Sequence, residues 1–226
     1  MSKKEQFINI TQFIFKLLNR GANSIPRRLK FAMQIPECNE RLKGVWVDVG
    51  AGSGHYLKFM SEKSYGLDIN KLPEKKIYSW NFNDSPRSED LGVADVLWCS
   101  NFLEHVLRPH EFLIKIKALI KSNGIIIIAV PNTSLFNKGL FSGTLQGDHV
   151  NFFTNSTLKL TVEFAGYEII FAGTSSFPKF GKILAKLGPN LMVVAKPNHN
   201  FQYPNSAHKV LTPEGEINFK SESIGH

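Results

Sequence analysis

The sequence predicts a single α/β domain built on a doubly wound, mainly parallel sheet with helices on both faces. From Gly44 onward, short β-branched runs alternate with helical stretches, a pattern typical of βα units. The run Ile125–Val130 holds apolar residues only, as expected of a strand buried on both faces. A length of 226 residues with a hydrophobic fraction of 42% suffices for one such domain with a sizeable core.

The periodicity predicts seven strands with helices between them. A helix is expected directly after Gly54, and a second begins at Pro109 and is closed by Gly124. A third is capped by Thr154 and ended by Gly166. The predicted strands are Val45–Val49, Tyr65–Leu67, Ile77–Trp80, Ala94–Cys99, Ile125–Val130, Tyr167–Phe171 and Leu191–Ala195.

Residues 1–43 form a basic segment ahead of the domain. Nine Lys and Arg against three acidic residues give this segment +6 of the net charge of +8. Apolar residues at helical spacing between positions 7 and 18 predict an amphipathic helix. Such a helix can close over the site as a lid, or it can lie on an anionic membrane surface with Arg27, Arg28 and Lys30 at the headgroups. We expect the lid.

The domain spans residues 44–196, and residues 197–226 are expected to form a polar, mobile tail. No stretch reaches the ~18 uninterrupted apolar residues of a membrane span, and no secretory signal is evident. The two cysteines, Cys38 and Cys99, are too few for a disulfide framework. These features predict a cytoplasmic protein.

A glycine loop and an aspartate predict a nucleoside site. The segment Val47-Asp48-Val49-Gly50-Ala51-Gly52-Ser53-Gly54 places three glycines at alternate positions after a strand. Asp68 ends the next strand, where its carboxylate can accept both hydroxyls of a ribose; alternatively, it only caps a turn. The dinucleotide fingerprint fails because its third glycine would fall on His55, which argues against nicotinamide cofactors.

These residues resemble the class I S-adenosylmethionine-dependent methyltransferases, whose first motif is similar to Val47–Gly54. The segment Asp95–Val106 resembles the family's fourth strand and its Leu-Glu-His turn, and Ile125–Asn132 resembles its fifth strand. Asp148–Thr154 resembles a segment found in quinone-biosynthesis O-methyltransferases and many sugar and small-molecule enzymes. The resemblance covers about residues 44–196 and implies a Rossmann-like fold with S-adenosylmethionine as the cofactor.

By that resemblance, two carboxylates and the loop hold the cofactor. Asp48 would orient the glycine loop and the methionine ammonium, and Asp68 would hold the ribose hydroxyls. The loop residues that would line the methionine and ribose are Gly50, Gly52 and Gly54.

The resemblance also implies contacts from three further residues. Asn101 and Phe102 would border the cofactor at the switch point, where the sheet order reverses. Asn81, after the third strand, stands near where the family often has an acidic residue that contacts adenine.

Two histidines are candidates for the general base, since a neutral imidazole accepts protons near pH 7. His149 lies beside Asp148 and two phenylalanines in a long loop, where it is either catalytic or a structural clasp. His105 could be a base, a hydrogen bonder behind the site or, with Glu104, part of a divalent-ion site; we assign no metal ligand from the sequence. His55 is expected to pack or cap near the cofactor, and His110 is expected to lie on the surface at the start of a helix.

The acceptor is expected to be a small molecule, a sugar or a lipid-linked compound that is methylated on oxygen. Methylases of nucleic-acid amino groups carry an Asp/Asn-Pro-Pro-aromatic segment where this chain has Ser100-Asn101-Phe102-Leu103. Four phenylalanines in or beside the loop of residues 131–153 either form an apolar lid or pack the loop onto the core: Phe136, Phe141, Phe152 and Phe153. Two other functions stay open, a non-catalytic partner subunit and, on the N-terminal charge alone, RNA methylation.

Overall fold

A computed structural model gives the fold of the chain. It describes residues 25–82, 92–133, 148–175, 190–202, 209–212 and 215–218. The predicted amphipathic helix between positions 5 and 18, together with Phe136 and Phe141, lies outside the described residues. In the parts of the chain that are described, no helix is both long enough and apolar enough to cross a membrane.

Seven strands form one sheet in the order β3-β2-β1-β4-β5-β7-β6. The first five strands in this order run parallel, and β7 runs antiparallel to both β5 and β6. This arrangement confirms the predicted doubly wound, mainly parallel sheet. The strands are β1 Trp46–Val49, β2 Tyr65–Asp68, β3 Ile77–Ser79, β4 Ala94–Ser100, β5 Ile120–Pro131, β6 Tyr167–Thr174 and β7 Asn190–Pro197.

Helices cover both faces of the sheet, as the sequence predicts. On one face, α3 (Pro109–Ile116) and α4 (Asn155–Phe164) bury apolar side chains against the sheet. On the other face, α1 (Arg27–Ala32) and α2 (Pro36–Asn39) pack against a second cluster that contains Trp46 and Trp98. Short 3-10 helices span Leu57–Phe59, Pro73–Lys75, Leu103–His105 and Lys117–Leu119.

Two predictions about local structure are wrong in detail, and two helices were not predicted. No α-helix follows Gly54; turns lead into the 3-10 helix Leu57–Phe59. The helix from Pro109 ends at Ile116 rather than near Gly124, because Ile120 already pairs with Ala94 as part of β5. The basic segment contains α1 and α2, which the sequence analysis did not predict.

The ends of the domain agree with the sequence only in part. Thr154 caps α4 through a reciprocal capping box with Thr157, and Gly166 follows the helix at a φ of +78°. The expected tail contains two short antiparallel strands, β8 Lys209–Thr212 and β9 Gly215–Asn218. Both cysteines are buried and free, so they form no disulfide with each other.

Asp95, on β4, is hydrogen-bonded to the residue before β1 and to a residue of β5, at the end of the strands opposite the glycine loop. Its carboxylate accepts hydrogen bonds from the Val45 backbone N–H and from Lys121, each at 2.8 Å. Partial burial raises the pKa of Asp95, but the bonds from Lys121 and Val45 outweigh it and hold the pKa below the ordinary value. The ionised carboxylate therefore stabilises the folded state.

We expect Asp95→Asn to lower the free energy of unfolding by about 1–2 kcal/mol at pH 7, because the charge-assisted bonds are lost. Because the folded pKa is depressed, this stabilisation is present above the unfolded pKa of ~3.9 and is lost as the pH falls through the folded value. Urea unfolding at pH 7 and at pH 3 measures both effects. Glu111→Gln, which removes an exposed ion pair with Arg108, is the control and should change little. An Asp95→Asn deficit equally large at pH 3 would contradict the account.

Candidate active site

The glycine loop folds back onto the end of the neighbouring strand. The N–H groups of Gly50 and Ala51 donate to the Leu67 carbonyl at 2.8 and 3.2 Å. Gly50, Gly52 and Gly54 all have positive φ, at +75°, +50° and +75°. The loop therefore stands at the carboxyl ends of β1 and β2.

Gly50 is closely packed, whereas Gly52 is not. A Cβ on Gly50 would overlap the Phe102 ring, so this position needs glycine for packing as well as for its φ. A Cβ on Gly52 would meet no atom of the described residues within 4 Å. Within that part of the chain, Gly52 thus lines open space, into which a ligand can approach the backbone.

Asp68 lies beside this loop, where the sequence analysis expected it. Its Oδ2 accepts from the Gly52 N–H at 2.9 Å, and its Oδ1 accepts from the backbone and side-chain nitrogens of Asn70 at 3.0 and 3.3 Å. The side chain caps a turn, as in the alternative reading, and yet is only half-buried. Because a carboxylate offers about four acceptor sites, Asp68 retains capacity for a further donor.

Asp48, on β1, is 2% exposed, and its Oδ2 has no hydrogen-bond partner among the described residues. Burial raises the pKa of Asp48 to about 8, and the nearby negative charge of Asp68 adds to the shift. A cationic group placed against this carboxyl would reverse the shift. A buried acceptor of this kind, in the strand that leads into an open loop, fits the ammonium group of a ligand.

Arg28 brings a positive charge to the same region, and the sequence analysis missed this. From α1, its Nη1 donates to Ser100 Oγ at 3.1 Å and to the Tyr56 hydroxyl at 3.4 Å. Ser100 ends β4, and Tyr56 follows the glycine loop. The sequence places Arg28 only in a basic segment and contains no signal for the direction of its side chain.

Aromatic side chains form a wall beside the loop. The Phe102 ring lies 5.1 Å from Phe82 and 5.5 Å from Phe112, and Phe82 lies 4.4 Å from Trp80, between ring centroids. Asn81 lies between Trp80 and Phe82 in the chain and is half-buried.

Asn101 is exposed and follows β4. It adopts a left-handed φ of +52° while its N–H donates to the Ala129 carbonyl at 2.8 Å. This conformation is uncommon for a residue other than glycine. Asn81, Asn101 and Phe102 therefore all follow parallel strands at the edge that carries the glycine loop.

The structure brings the two candidate bases together. The rings of His105 and His149 lie 4.7 Å apart, and His105 Nδ1 is 3.2 Å from the Asp148 carbonyl oxygen. The Glu104 carbonyl accepts from the N–H groups of Val150 and Asn151, both at 3.0 Å. The turn after β4 and the end of the long loop are therefore fastened to each other.

Burial governs the charges in this cluster. It lowers the pKa of His149, the neighbouring His105 lowers it further, and Asp148 opposes the shift. Glu104 is 1% exposed, and burial raises its pKa. His149 is thus neutral near pH 7, in the form that accepts a proton.

The remaining candidates lie apart from this cluster. His55 is exposed and contacts Tyr56 and Phe59, whereas His110 Nε2 lies 2.9 Å from the Phe164 carbonyl oxygen and links α3 to α4. In the long loop, Phe153 is buried in the core and Phe152 is 56% exposed. Phe153 therefore packs the loop onto the core.

Comparison with known proteins identifies the family. A family described as a methyltransferase domain matches residues 14–171, well over half of the chain, including the glycine loop, the turn after β4 and the long loop. The match begins inside the predicted amphipathic helix, earlier than the motifs from which the sequence resemblance was drawn. A search of curated protein sequences found no match.

Solved structures of methyltransferases share the fold. An S-adenosylmethionine-dependent methyltransferase from Clostridium acetobutylicum has 10% identity and a TM-score of 0.58, covering 84% of this chain and 98% of its own. The 1,6-didemethyltoxoflavin-N1-methyltransferase of Burkholderia thailandensis, bound to S-adenosylhomocysteine, has 13% identity and a TM-score of 0.53, covering 88% and 92%. A putative methyltransferase of Haloferax volcanii, solved in complex with the Trm112 activator, has 15% identity and a TM-score of 0.52, covering 76% of this chain and 94% of its own. With the family match, this fold shows that the chain belongs to the methyltransferase domain family, in the class I group that depends on S-adenosylmethionine.

Proposed function

We propose that this chain transfers a methyl group from S-adenosylmethionine to an oxygen of a small-molecule, sugar or lipid-linked acceptor. The observation that carries the proposal is the buried Asp48 carboxyl, unpartnered at Oδ2 within the described ranges, in the strand that leads into the open glycine loop. When bound, S-adenosylmethionine supplies an electrophilic methyl group on a sulfonium.

Charged residues of opposite sign suit the two ends of the methionine moiety. Asp48 would take the ammonium group, which relieves the cost of its own burial. Arg28, held by Ser100 and Tyr56, is a suitable partner for the carboxylate because a guanidinium binds carboxylates with directed hydrogen bonds.

The nucleoside would be held by the loop and the residues after β2, β3 and β4. Asp68 has capacity to accept from the ribose, and Gly52 lets the ligand approach the backbone of the loop that Gly50 and Gly54 shape. Asn81 would lie near the adenine, and Asn101 and Phe102 would border the cofactor at the switch point.

The acceptor would bind beside the histidines. His149, neutral near pH 7, would take the acceptor's proton, and His105 lies within ring contact of it. Three large apolar side chains are exposed on the two fastened segments: Leu107 at 72%, Val150 at 50% and Phe152 at 56%. Such a rim favours an acceptor with an apolar part.

Asp68→Ala should weaken binding of S-adenosylmethionine and S-adenosylhomocysteine roughly 30- to 150-fold, which corresponds to about 2–3 kcal/mol for hydrogen bonds to a charged group. Titration calorimetry with both ligands measures the effect. Unchanged affinity, or tighter binding of a nicotinamide dinucleotide to the wild type, would refute the cofactor assignment.

Gly52→Ala should weaken cofactor binding although the fold has room for the added methyl group. Gly92→Ala is its matched control, because Gly92 also has a positive φ, +77°, and open space around a Cβ. Each change should cost about 1 kcal/mol of stability from backbone strain. Thermal unfolding should show similar losses for the two variants, and calorimetry should show weaker cofactor binding for Gly52→Ala alone. Equal cofactor affinities would mean that the loop does not face the ligand.

His149→Ala should lower turnover by roughly 10²–10⁴ while cofactor affinity stays nearly constant, because proton transfer belongs to the chemical step. Transfer of labelled methyl groups to fractionated metabolites and lipids identifies the acceptor. Turnover of His149→Ala and of its control is then measured on that acceptor. His55→Ala, which removes an exposed histidine outside the cluster, is the control. If His149→Ala keeps turnover within a few-fold of wild type, His149 is a structural clasp. Cofactor binding without turnover on any fraction would favour a non-catalytic partner subunit.

A further inference from the structure

Glu104, His105 and His149 each present one ligand atom, and these atoms all lie within 4.8 Å of one another. We propose that this cluster is a binding site for a divalent transition-metal ion. Three ligand atoms on one such ion lie about 2.8–3.8 Å apart, given metal–ligand distances of ~2.0–2.2 Å and angles of about 90–120° between the ligands. Movements of roughly 1 Å in the side chains would therefore bring the three groups onto one ion.

The Glu104 carboxylate is the observation that points to a cation. The residue is 1% exposed, and neither side-chain oxygen has a hydrogen-bond partner in the parts of the chain that the structure describes. A buried carboxylate is normally paired, hydrogen-bonded or bound to a metal. A general-base role for His149 does not explain why the Glu104 carboxylate is buried. A cation bound between this carboxylate and the two imidazoles does explain its burial.

Hydrogen bonding prepares His105 as a ligand. Its Nδ1 lies 3.2 Å from the Asp148 carbonyl oxygen, which can only accept, so Nδ1 carries the proton in this bond. Nε2 is then left with a free lone pair. Ligand histidines usually have one nitrogen fixed in this way by a carbonyl or carboxylate group.

The backbone holds the ligands from both segments together. The N–H groups of Val150 and Asn151 both donate to the Glu104 carbonyl at 3.0 Å, and the Asn151 side chain donates to the Val106 carbonyl at 2.5 Å. His105 and Asp148 remain 30% and 68% exposed in their side chains, so an ion can reach the site from solvent. The three ligands thus leave coordination positions for water or substrate.

The donor set favours a transition metal over magnesium. Two imidazoles and one carboxylate suit Zn²⁺, Mn²⁺ or Fe²⁺, whereas Mg²⁺ prefers oxygen ligands in an octahedron. With the ion bound, His149 acts as a ligand and not as the proton acceptor; a hydroxyl of the acceptor that binds at an open position would then lose its proton to solvent water, because the cation stabilises the oxyanion. Only this last consequence rests on the proposed function; the binding site does not.

Calorimetric titration of the metal-free, full-length protein with ZnCl₂ and, separately, MnCl₂ tests the site directly. We expect one ion per chain for the wild type and at least tenfold weaker binding for Glu104→Gln and for His149→Ala. His199→Ala is the control, because it removes an exposed histidine after β7 and should bind like the wild type. MgCl₂ should bind more weakly than either transition metal.

Thermal unfolding adds a readout that does not depend on activity. Without metal, Glu104→Gln should be at least as stable as the wild type, since it removes a buried carboxyl group that has no hydrogen-bond partner among the described residues. With metal at a hundredfold excess over Kd, the wild-type midpoint should rise by roughly 5–10 °C and that of Glu104→Gln should not. His149→Ala, which changes a more exposed side chain, serves if Glu104→Gln fails to fold.

Three results would overturn the inference: no binding of Zn²⁺ or Mn²⁺ to the wild type, undiminished binding in both Glu104→Gln and His149→Ala, or equal loss in His199→Ala. Cofactor affinity is measured on the same samples. If metal binds but S-adenosylmethionine does not, the proposed function fails and the metal site stands. If S-adenosylmethionine binds but neither metal does, the metal site fails and the proposed function stands.

Discussion

The parallel pairing of β1 with β2 on one side and β4 on the other is the constraint on which the site depends. Val49 pairs with Leu67 in β2 and with Cys99 in β4, so the next residues along the three strands are Gly50, Asp68 and Ser100. Parallel strands place these positions at one edge of the sheet. The glycine loop, the Asp68 carboxylate and the group around Arg28 all follow from this register.

The same edge carries two buried carboxyls, and both bear the cost of burial. Asp48 lies on β1 and Glu104 lies in the turn after β4, with raised pKa values caused chiefly by loss of solvent. The neighbouring His105 and Arg28 offset part of the shift at Glu104. Among the described residues, Asp48 Oδ2 and both side-chain oxygens of Glu104 lack a hydrogen-bond partner, and buried polar groups are normally paired, so both carboxyls support the proposed ligands of this site.

The strands were predictable because their signal is local. Buried parallel strands are nearly continuous apolar runs, and each of the seven predicted strands overlaps an observed one. Asp68 could be placed beside the loop for the same reason, since a strand end fixes the position of its last residue. The helix predicted after Gly54 failed because the chain there forms tight turns against β2 and β3 rather than an extended apolar face.

The direction of Arg28 was beyond the reach of the sequence. α1 packs through Leu29 and Ala32 onto the face of the sheet that includes Trp98, and this packing turns Arg28 toward Ser100. The sequence pairs Glu104 with His105 as a candidate divalent-ion site but places His149 apart from them, in the long loop. Two hydrogen bonds to the Glu104 carbonyl bring the two segments together, and no periodic pattern encodes such a contact.

The two halves of the site are therefore determined differently. Most of the proposed cofactor half is built from residues in or just after the carboxyl ends of β1, β2, β3 and β4, so the register of the sheet determines their positions. The proposed acceptor half is built from a 3-10 turn and one end of a long loop, joined by hydrogen bonds from Val150 and Asn151. Side chains on these two segments, such as Leu107 and Phe152, can change without disturbing any strand pairing. Within one fold, acceptor specificity can thus vary while the cofactor site stays constant, because only the cofactor site is tied to the sheet.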